Sequence, residues 1–434
     1  MTSRAVPARA FFDLLAVARG AFSAPGFALF SRLLTGWVLA PGRRTIAAMF
    51  IAGDPKGIRS LDAYHRFVRC GRWSIDALWR PLVLFMVRTL AKEGPVAVSI
   101  DDTLFKKSGR KVEGTGIFRD AVRSTRSKVI YALGLNLVVA TLRVNAPWGG
   151  CPIALPISVR LHKKGGPTTV ELATEMMHQL ASWLPERSFA VRADAAYAAL
   201  IGKGLPRTTV TSRLRRDARL FEGPPQRTGK RGRPRVRGAR LEAPDAMSKR
   251  LANSDFDLVE YNCRGKTVAA LVWSTRALWY KVDNRRLVTV VIVRDPAGIM
   301  ADAFFVTDDE DATDAEILAA YSARWAIEVT NREVKQCLGA EDPQCWKYQG
   351  PERAAHLSLW LYSAIWTWYI TTFGTEVTWT PRPWYRKKAT PSFLDALAAL
   401  RRTLWAERIM PLSIVGRAHD KIIDAMLDVL ANAA

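Results

Sequence analysis

Apolar residues recur at three- and four-residue spacing over Leu29–Met49 and Ile75–Leu90, which predicts helices in the first part of the chain. Pro41–Gly42 and the run Gly53–Asp54–Pro55–Lys56–Gly57 punctuate that part with turns. After residue 92 the pattern changes. Val96–Ile100 is a short β-rich run that ends in Asp101–Asp102–Thr103. Val129–Val144 is apolar and β-branched enough for one or two buried strands, and Ile153–Leu161 predicts another. Thr168–Leu184 predicts a helix, opened by Pro167 and Thr168–Thr169 and closed by Pro185. Phe189–Ala193 then predicts a strand that ends at Asp194. Strands, a helix and a further strand in this order build one layer of an α/β domain.

Residues 200–310 read differently. Thr208–Arg213, Thr267–Ser274, Leu278–Val282, Leu287–Arg294 and Ala303–Thr307 predict strands, with Asp283–Asn284 as a turn, and together suggest a β-rich insertion. A long helix is predicted from Asp314 to Leu338. Leu357–Phe373 is apolar on all sides and approaches the length of a membrane span. Ser358, Ser363, Thr367, Thr371 and Thr372 interrupt it and no second span accompanies it, so it reads as a buried core helix. The Pro/Trp-rich connector Thr378–Lys388 leads to helices near Phe393–Trp405 and His419–Leu430. The division that follows is a helical region 1–92, a core in two parts (93–200 and 311–375), the insertion 201–310 and a helical tail 376–434.

Composition narrows the function. The 434 residues carry 64 Lys and Arg against 40 Asp and Glu, a formal charge of +24, and 49% are hydrophobic. A mainly disordered chain is excluded. An excess of this size favours a polyanionic partner, nucleic acid before an anionic membrane surface. Met1–Gly20 lacks the order of a secretory signal. The five cysteines form no disulfide or zinc pattern, and His65, His162, His178, His356 and His419 show no ligand spacing, which points to a reducing, cytoplasmic compartment.

Candidate chemistry concentrates in Tyr321–Lys335. At 3.6 residues per turn, Arg324, Glu328 and Lys335 fall at roughly 300°, 340° and 320° from Tyr321, so all four share an arc of about 60°. Ile327, Val334 and Leu338 border that arc, so Glu328 sits where the apolar face meets the polar one. The plainer reading is an amphipathic helix with an ordinary Glu328–Arg332 pair. Asp101 and Asp194 shift the balance, because each closes a predicted strand, where the ligand sites of α/β sheets lie. Two strand-end carboxylates and one helical carboxylate suit Mg²⁺ or Mn²⁺, and two such ions can activate a water or a 3′-hydroxyl and stabilise a leaving oxygen on phosphorus.

These residues resemble the DDE transposases of bacterial insertion sequences, in the superfamily whose third carboxylate lies in a Tyr-x2-Arg-x3-Glu-x6-Lys signature. Tyr321, Arg324, Glu328 and Lys335 reproduce that spacing without departure. Asp101–Asp102–Thr103 matches the Asp-x-Thr strand end, and Arg192–Ala–Asp194–Ala–Ala–Tyr197 matches the second motif. The likeness spans about residues 25–375. It implies an α/β fold with a ribonuclease-H-like core interrupted by a β-rich insertion, and a helical N-terminal region that helps bind transposon-end DNA. It also implies Asp101, Asp194 and Glu328 as ligands of two metal ions, with Tyr321, Arg324 and Lys335 near the phosphate. Asp102 stays open as the alternative to Asp101, since a continuing strand would send the two side chains to opposite faces. The implied activity is cleavage and strand transfer of double-stranded DNA ends, by cut and paste, in a homodimeric complex without a membrane. An inactive DNA-binding regulator and a nuclease that joins no strands are the alternatives.

Basic and aromatic groups extend this picture. Lys106, Lys107, Arg110 and Lys111 follow the first acid and are expected along a DNA channel. The segment Arg227–Arg240 includes Arg227, Lys230, Arg231, Arg233, Arg235 and Arg237, and its Arg231–Gly–Arg–Pro234 resembles an AT hook; a solvated basic loop is the equal alternative. Trp273 and Trp279 could stack on an extruded base or simply pack in the sheet.

Overall fold

The computed structural model describes residues 5–125, 127–225, 235–377, 379, 383–409 and 417–433. The first part is helical: α1 (Ala5–Ala16), α2 (Ala24–Leu39), α3 (Ile46–Gly53), α4 (Leu61–Cys70) and α5 (Ile75–Leu90). The apolar stretch Leu29–Met49 is two helices rather than one, because the Pro41–Gly42 turn separates α2 from α3 and Thr45 then caps the amide of Ala48.

One ten-stranded mixed sheet follows. Its strands are β1 (Val96–Lys106), β2 (Gly116–Arg119), β3 (Tyr131–Val144), β4 (Ile153–His162), β5 (Phe189–Ala193), β6 (Thr208–Arg213), β7 (Asp257–Cys263), β8 (Lys266–Ala277), β9 (Val288–Arg294) and β10 (Ala303–Thr307). The order is β2-β3-β1-β5-β6-β10-β9-β8-β7, with β4 on the outer edge of β3. β1, β5 and β6 run parallel, while β3 and β4 are antiparallel to their neighbours. This is the ribonuclease-H-like arrangement, with helical stretches before and after it. α6 (Thr169–Trp183) carries the chain to β5, its start fixed by a capping box between Thr168 and Glu171.

Two expected strands need correction. β1 does not end at Ile100. Its parallel pairing to β5 stops at Ile100–Ala193, but antiparallel pairing to β3 carries it on to Lys106. Asp101 therefore lies where β5 leaves β1, in the middle of a long strand. Leu278–Val282 is no strand: Leu278 makes one bridge to Phe221 and the chain then turns through Trp279–Val282. The strands beyond residue 200 join the same sheet. β6 pairs with β5 and β10 with β6, so β7–β10 extend the central sheet. A short helix, α7 (Pro244–Arg250), lies between β6 and β7.

The helix expected from Asp314 to Leu338 is broken. α8 (Asp314–Ser322) passes through a 3₁₀ turn at Ala323–Trp325 into α9 (Ala326–Gln336). α10 (Gly350–Phe373), α11 (Phe393–Ile409) and α12 (Arg417–Asn432) complete the chain. In α10 every residue from Arg353 through Ile370 is buried. Some of its polar groups find partners inside the fold: Ser363 Oγ donates to the Pro156 carbonyl at 2.8 Å and Trp360 Nε1 to that of Leu78 at 3.1 Å. Burying its aliphatic and aromatic side chains contributes about 1.5–3 kcal/mol each, which makes this helix the spine that joins the N-terminal helices to the sheet. No described helix is long and apolar enough to cross a membrane.

Candidate active site

Strand pleating separates Asp101 from Asp102. Asp102 shares a face with Asn136 and with Tyr197, whose hydroxyl donates to Asp102 Oδ1 at 3.3 Å. Asp101 points to the other face, under the 3₁₀ turn between α8 and α9. There Arg324 Nη1 donates to Asp101 Oδ2 at 3.3 Å and Nη2 donates to Glu328 Oε1 at 2.8 Å. One guanidinium thus holds a carboxylate from β1 and one from α9. The helix break puts Arg324 in this position while keeping the i,i+4 relation to Glu328. Burial, with Asp102 and Glu328 adding to it and Arg324 opposing it, pushes the Asp101 carboxyl up to about 7. Burial opposes the charge of Arg324, but Tyr321, Asp101, Glu328 and Asp194 around it outweigh that and raise its pKa. Asp194 follows β5 directly and opens the 3₁₀ segment Ala195–Lys203, and its carbonyl accepts from Ser212 Oγ at 2.9 Å.

Tyr321 packs at 4.7 Å against Phe305 of β10, with the Arg324 guanidinium 5.5 Å above its ring. Lys335 sits elsewhere. It lies two turns, roughly 10 Å, beyond Glu328. Its ammonium faces the Phe105 ring at 5.7 Å, and burial lowers its pKa with Glu341, Lys106 and Asp120 as the charges nearby. The shared arc of Tyr321 and Lys335 assumed one straight helix, and the break at Ala323–Trp325 removes that assumption.

The basic residues after Asp101 divide into two kinds. Lys106 pairs at 2.8 Å with buried Asp120, and its backbone N–H donates to Glu341 Oε1 at 2.6 Å. Lys107 donates to the carbonyls of Glu341 and Pro343 at 2.7 and 3.3 Å. Both are thereby engaged within the fold, while Arg110 and Lys111 are exposed. In the basic loop, Arg227, Lys230, Arg231 and Arg233 lie outside the described residues. Arg235 is exposed, and Arg237 stacks on Phe221 and Tyr280 at 4.4 and 4.8 Å. Trp273 and Trp279 are half-buried against the main core, in the packing position set beside base stacking above. Within the Thr378–Lys388 connector, Trp384 and Tyr385 are exposed and four residues lie outside the description.

Sequence reasoning missed Asp120 and Glu341, which hold the lysines, and gave no role to Arg143 and Arg192. The available signal was an arginine inside an otherwise apolar strand, Thr141–Leu–Arg–Val144 and Ala190–Val–Arg–Ala193.

A family model described as DDE superfamily endonuclease matches residues 27–267, more than half of the chain. The chain belongs to the DDE superfamily of endonucleases. The matched span holds Asp101 and Asp194 and stops before the glutamate helix of this DDE endonuclease. A solved piggyBac transposase synaptic complex with hairpin DNA is similar at 13% identity and a TM-score of 0.42, over 98% of this chain and 85% of that one. No curated protein matches. Membership implies metal-dependent chemistry in general. Among the described residues, no three His, Cys, Asp or Glu side chains gather closely enough to hold a metal ion as they stand. The donors of this endonuclease nevertheless fit a hard divalent cation in kind. Asp101 and Glu328 are carboxylates, the hard oxygen donors such a cation prefers, and they already share one cationic group.

Proposed function

We propose that the chain is a transposase that cleaves the ends of a DNA element and joins them to a target, by cut and paste. The observation that carries this reading is the Arg324 guanidinium held between Asp101 and Glu328, residues far apart in sequence that the fold brings to one cation. Asp101, Asp194 and Glu328 would hold Mg²⁺ or Mn²⁺, two ions for each site. When bound, such ions would activate water or a 3′-hydroxyl and stabilise the leaving oxygen.

The chain's own residues orient the phosphate. Arg324 turns from the carboxylates to the non-bridging oxygens of the phosphodiester, which its planar fork can hold through two hydrogen bonds. Tyr321, braced on Phe305, limits where that fork can point. Lys335, roughly 10 Å along α9 from Glu328, contacts a neighbouring phosphate rather than the reacting one. Asp102 holds Tyr197 against the back of β1 and positions Asp101 rather than binding metal. Exposed Arg110, Lys111 and Arg235 take further backbone phosphates. Coordinated events at two ends call for two copies of the site, hence a homodimer on DNA.

The test incubates purified protein with labelled duplex carrying the element's terminal repeats and Mg²⁺, and maps products on both strands. The wild type is expected to nick the ends and join them to target, while Glu328→Gln binds the ends and cuts nothing. Normal cutting by that variant would falsify the assignment. Cutting without joined products by the wild type would favour a nuclease of the same fold.

A further inference from the structure

A groove of about 850 Å³ lies between the end of α8 and the beginnings of β5 and β6, at the other end of these strands from Asp101 and Asp194, and none of the three carboxylates lines it. Arg143 of β3 and Arg192 of β5 line it. They share the face of Asp101: Thr141 and Arg192 both register with Ser99, two residues before Asp101. Arg192 is only 8% exposed, and its Nε has no hydrogen-bond partner. Its Nη1 donates to the Val191 carbonyl at 3.0 Å, and Arg143 Nη1 donates to the Ala320 carbonyl at 3.0 Å. Among the described residues neither arginine has an ion-pair partner. The cavity also holds Glu316, Asp309 and Asp311: the Glu316 carboxylate is used by the Thr313 amide and hydroxyl at 2.9 and 2.8 Å, Asp311 is exposed, and Asp309, with Asp308 beside it, acts on Arg192 through charge without a salt bridge, so it offsets only part of the two arginines' charge.

A buried guanidinium beside a half-buried one, each with a backbone carbonyl as its acceptor, is costly to hold. Each offers five N–H donors in a fork that matches phosphate oxygens. Arg192 precedes Asp194 by two residues, roughly 7 Å along the strand. Charges on one DNA strand recur about every 3.4 Å of helix axis, so one strand can reach both places. We propose that this cavity is a second phosphate site, in which Arg143 and Arg192 hold a phosphodiester adjacent to the one that is cut. The proposal rests on the DNA-cleaving reading above and adds a strand-positioning site to it.

The test measures binding of the full-length protein to a labelled duplex over a salt series, for wild type, Arg143→Gln, Arg192→Gln and Glu328→Gln. Losing one phosphate contact lowers the slope of log K against log salt by about 0.9. Each arginine variant is expected to lower the slope by that amount, whereas Glu328→Gln keeps it. Wild-type slopes in both arginine variants, with folding verified by circular dichroism, would overturn the proposal. Inorganic phosphate serves as a second probe. If it raises the melting temperature of the wild type but not of the variants, while all slopes stay equal, the cavity takes free phosphate and the strand assignment fails. Should the Gln variants not fold, Arg143→Lys and Arg192→Lys keep the charge and lose the fork. They are expected to bind DNA several-fold more weakly, and unchanged affinity would overturn the proposal. Cleavage by Glu328→Gln would sink the functional reading alone, since the slopes report on the cavity independently.

Discussion

Burial at the junction of β1 and β5 makes the ionised form of Asp101 expensive, and Arg324 is the group that relieves it. Asp102, one residue on, meets Tyr197 and Asn136 instead. Two adjacent aspartates that are equivalent as text thus differ in kind, because a strand alternates its faces. Asp101→Asn is therefore expected to abolish metal-dependent strand cleavage. Asp102→Asn should keep measurable cleavage and leave stability within about 0.5 kcal/mol, since Asp102 is exposed and the Asn oxygen still accepts from the Tyr197 hydroxyl. Single-turnover cleavage and chemical denaturation of the two variants, run in parallel, check this; equal loss of cleavage would remove the distinction between the faces. The acids and the Tyr321-to-Lys335 spacing were legible in the sequence. The separation of Lys335 from Glu328, and the engagement of Lys106 and Lys107 by Asp120 and Glu341, were not, because those partners come from distant segments.

Among the elements, α10 and the α2–α3 pair carry the clearest physical constraints. His356 of α10 is fully enclosed, and its Nδ1 accepts from Trp79 Nε1 at 2.9 Å. Burial, with Arg160 adding to it, lowers its pKa from the ordinary 6.5 to about 3. The unfolded chain then takes up a proton that the folded chain refuses. Stability from the neutral ring is present above pH 6.5 and lost as pH falls toward 3, at up to about 1.4 kcal/mol per unit. Urea midpoints at pH 7.0 and 5.0 should fall for the wild type and fall less for His356→Gln; identical slopes would refute this account. At the α2–α3 crossing, a methyl group on Gly36 would stand 1.9 Å from the Met49 carbonyl oxygen, and one on Gly53 would stand 2.1 Å from that of Arg32. Gly36→Ala is expected to cost at least the 1–3 kcal/mol typical of overpacking, read as a lower melting temperature with no new exposure of the catalytic face. Periodicity identified α10 as buried and α6 with its cap, since both signals are local. It missed the break in the glutamate helix, where Arg324 meets Asp101 of a distant strand.

Over the whole molecule, the +24 charge is not spread evenly in function. Part of it is internal, as in Lys106 against Asp120 and in Arg143 and Arg192 of the groove. Part is exposed beside the site, as in Arg110 and Lys111. Replacing Arg110 and Lys111 together by Ala should leave stability within about 0.5 kcal/mol. The same pair should lower the salt slope of DNA binding by up to about 1.8. A fluorescence titration across salt concentrations with a parallel melt tests both, and a large drop in melting temperature would place these side chains inside the fold instead. The sequence by itself placed most strands of the core, the buried character of α10 and the identity of the candidate acids, and its charge favoured a polyanionic partner, because each depends on local pattern or on residue type. Only the tertiary structure decided that the β-rich stretch extends the central sheet, that Asp101 and Glu328 share Arg324, and that Arg143 and Arg192 meet in one groove. Strand order, register and the meeting of distant charges come from pairing between segments far apart in the chain, and no local pattern encodes them.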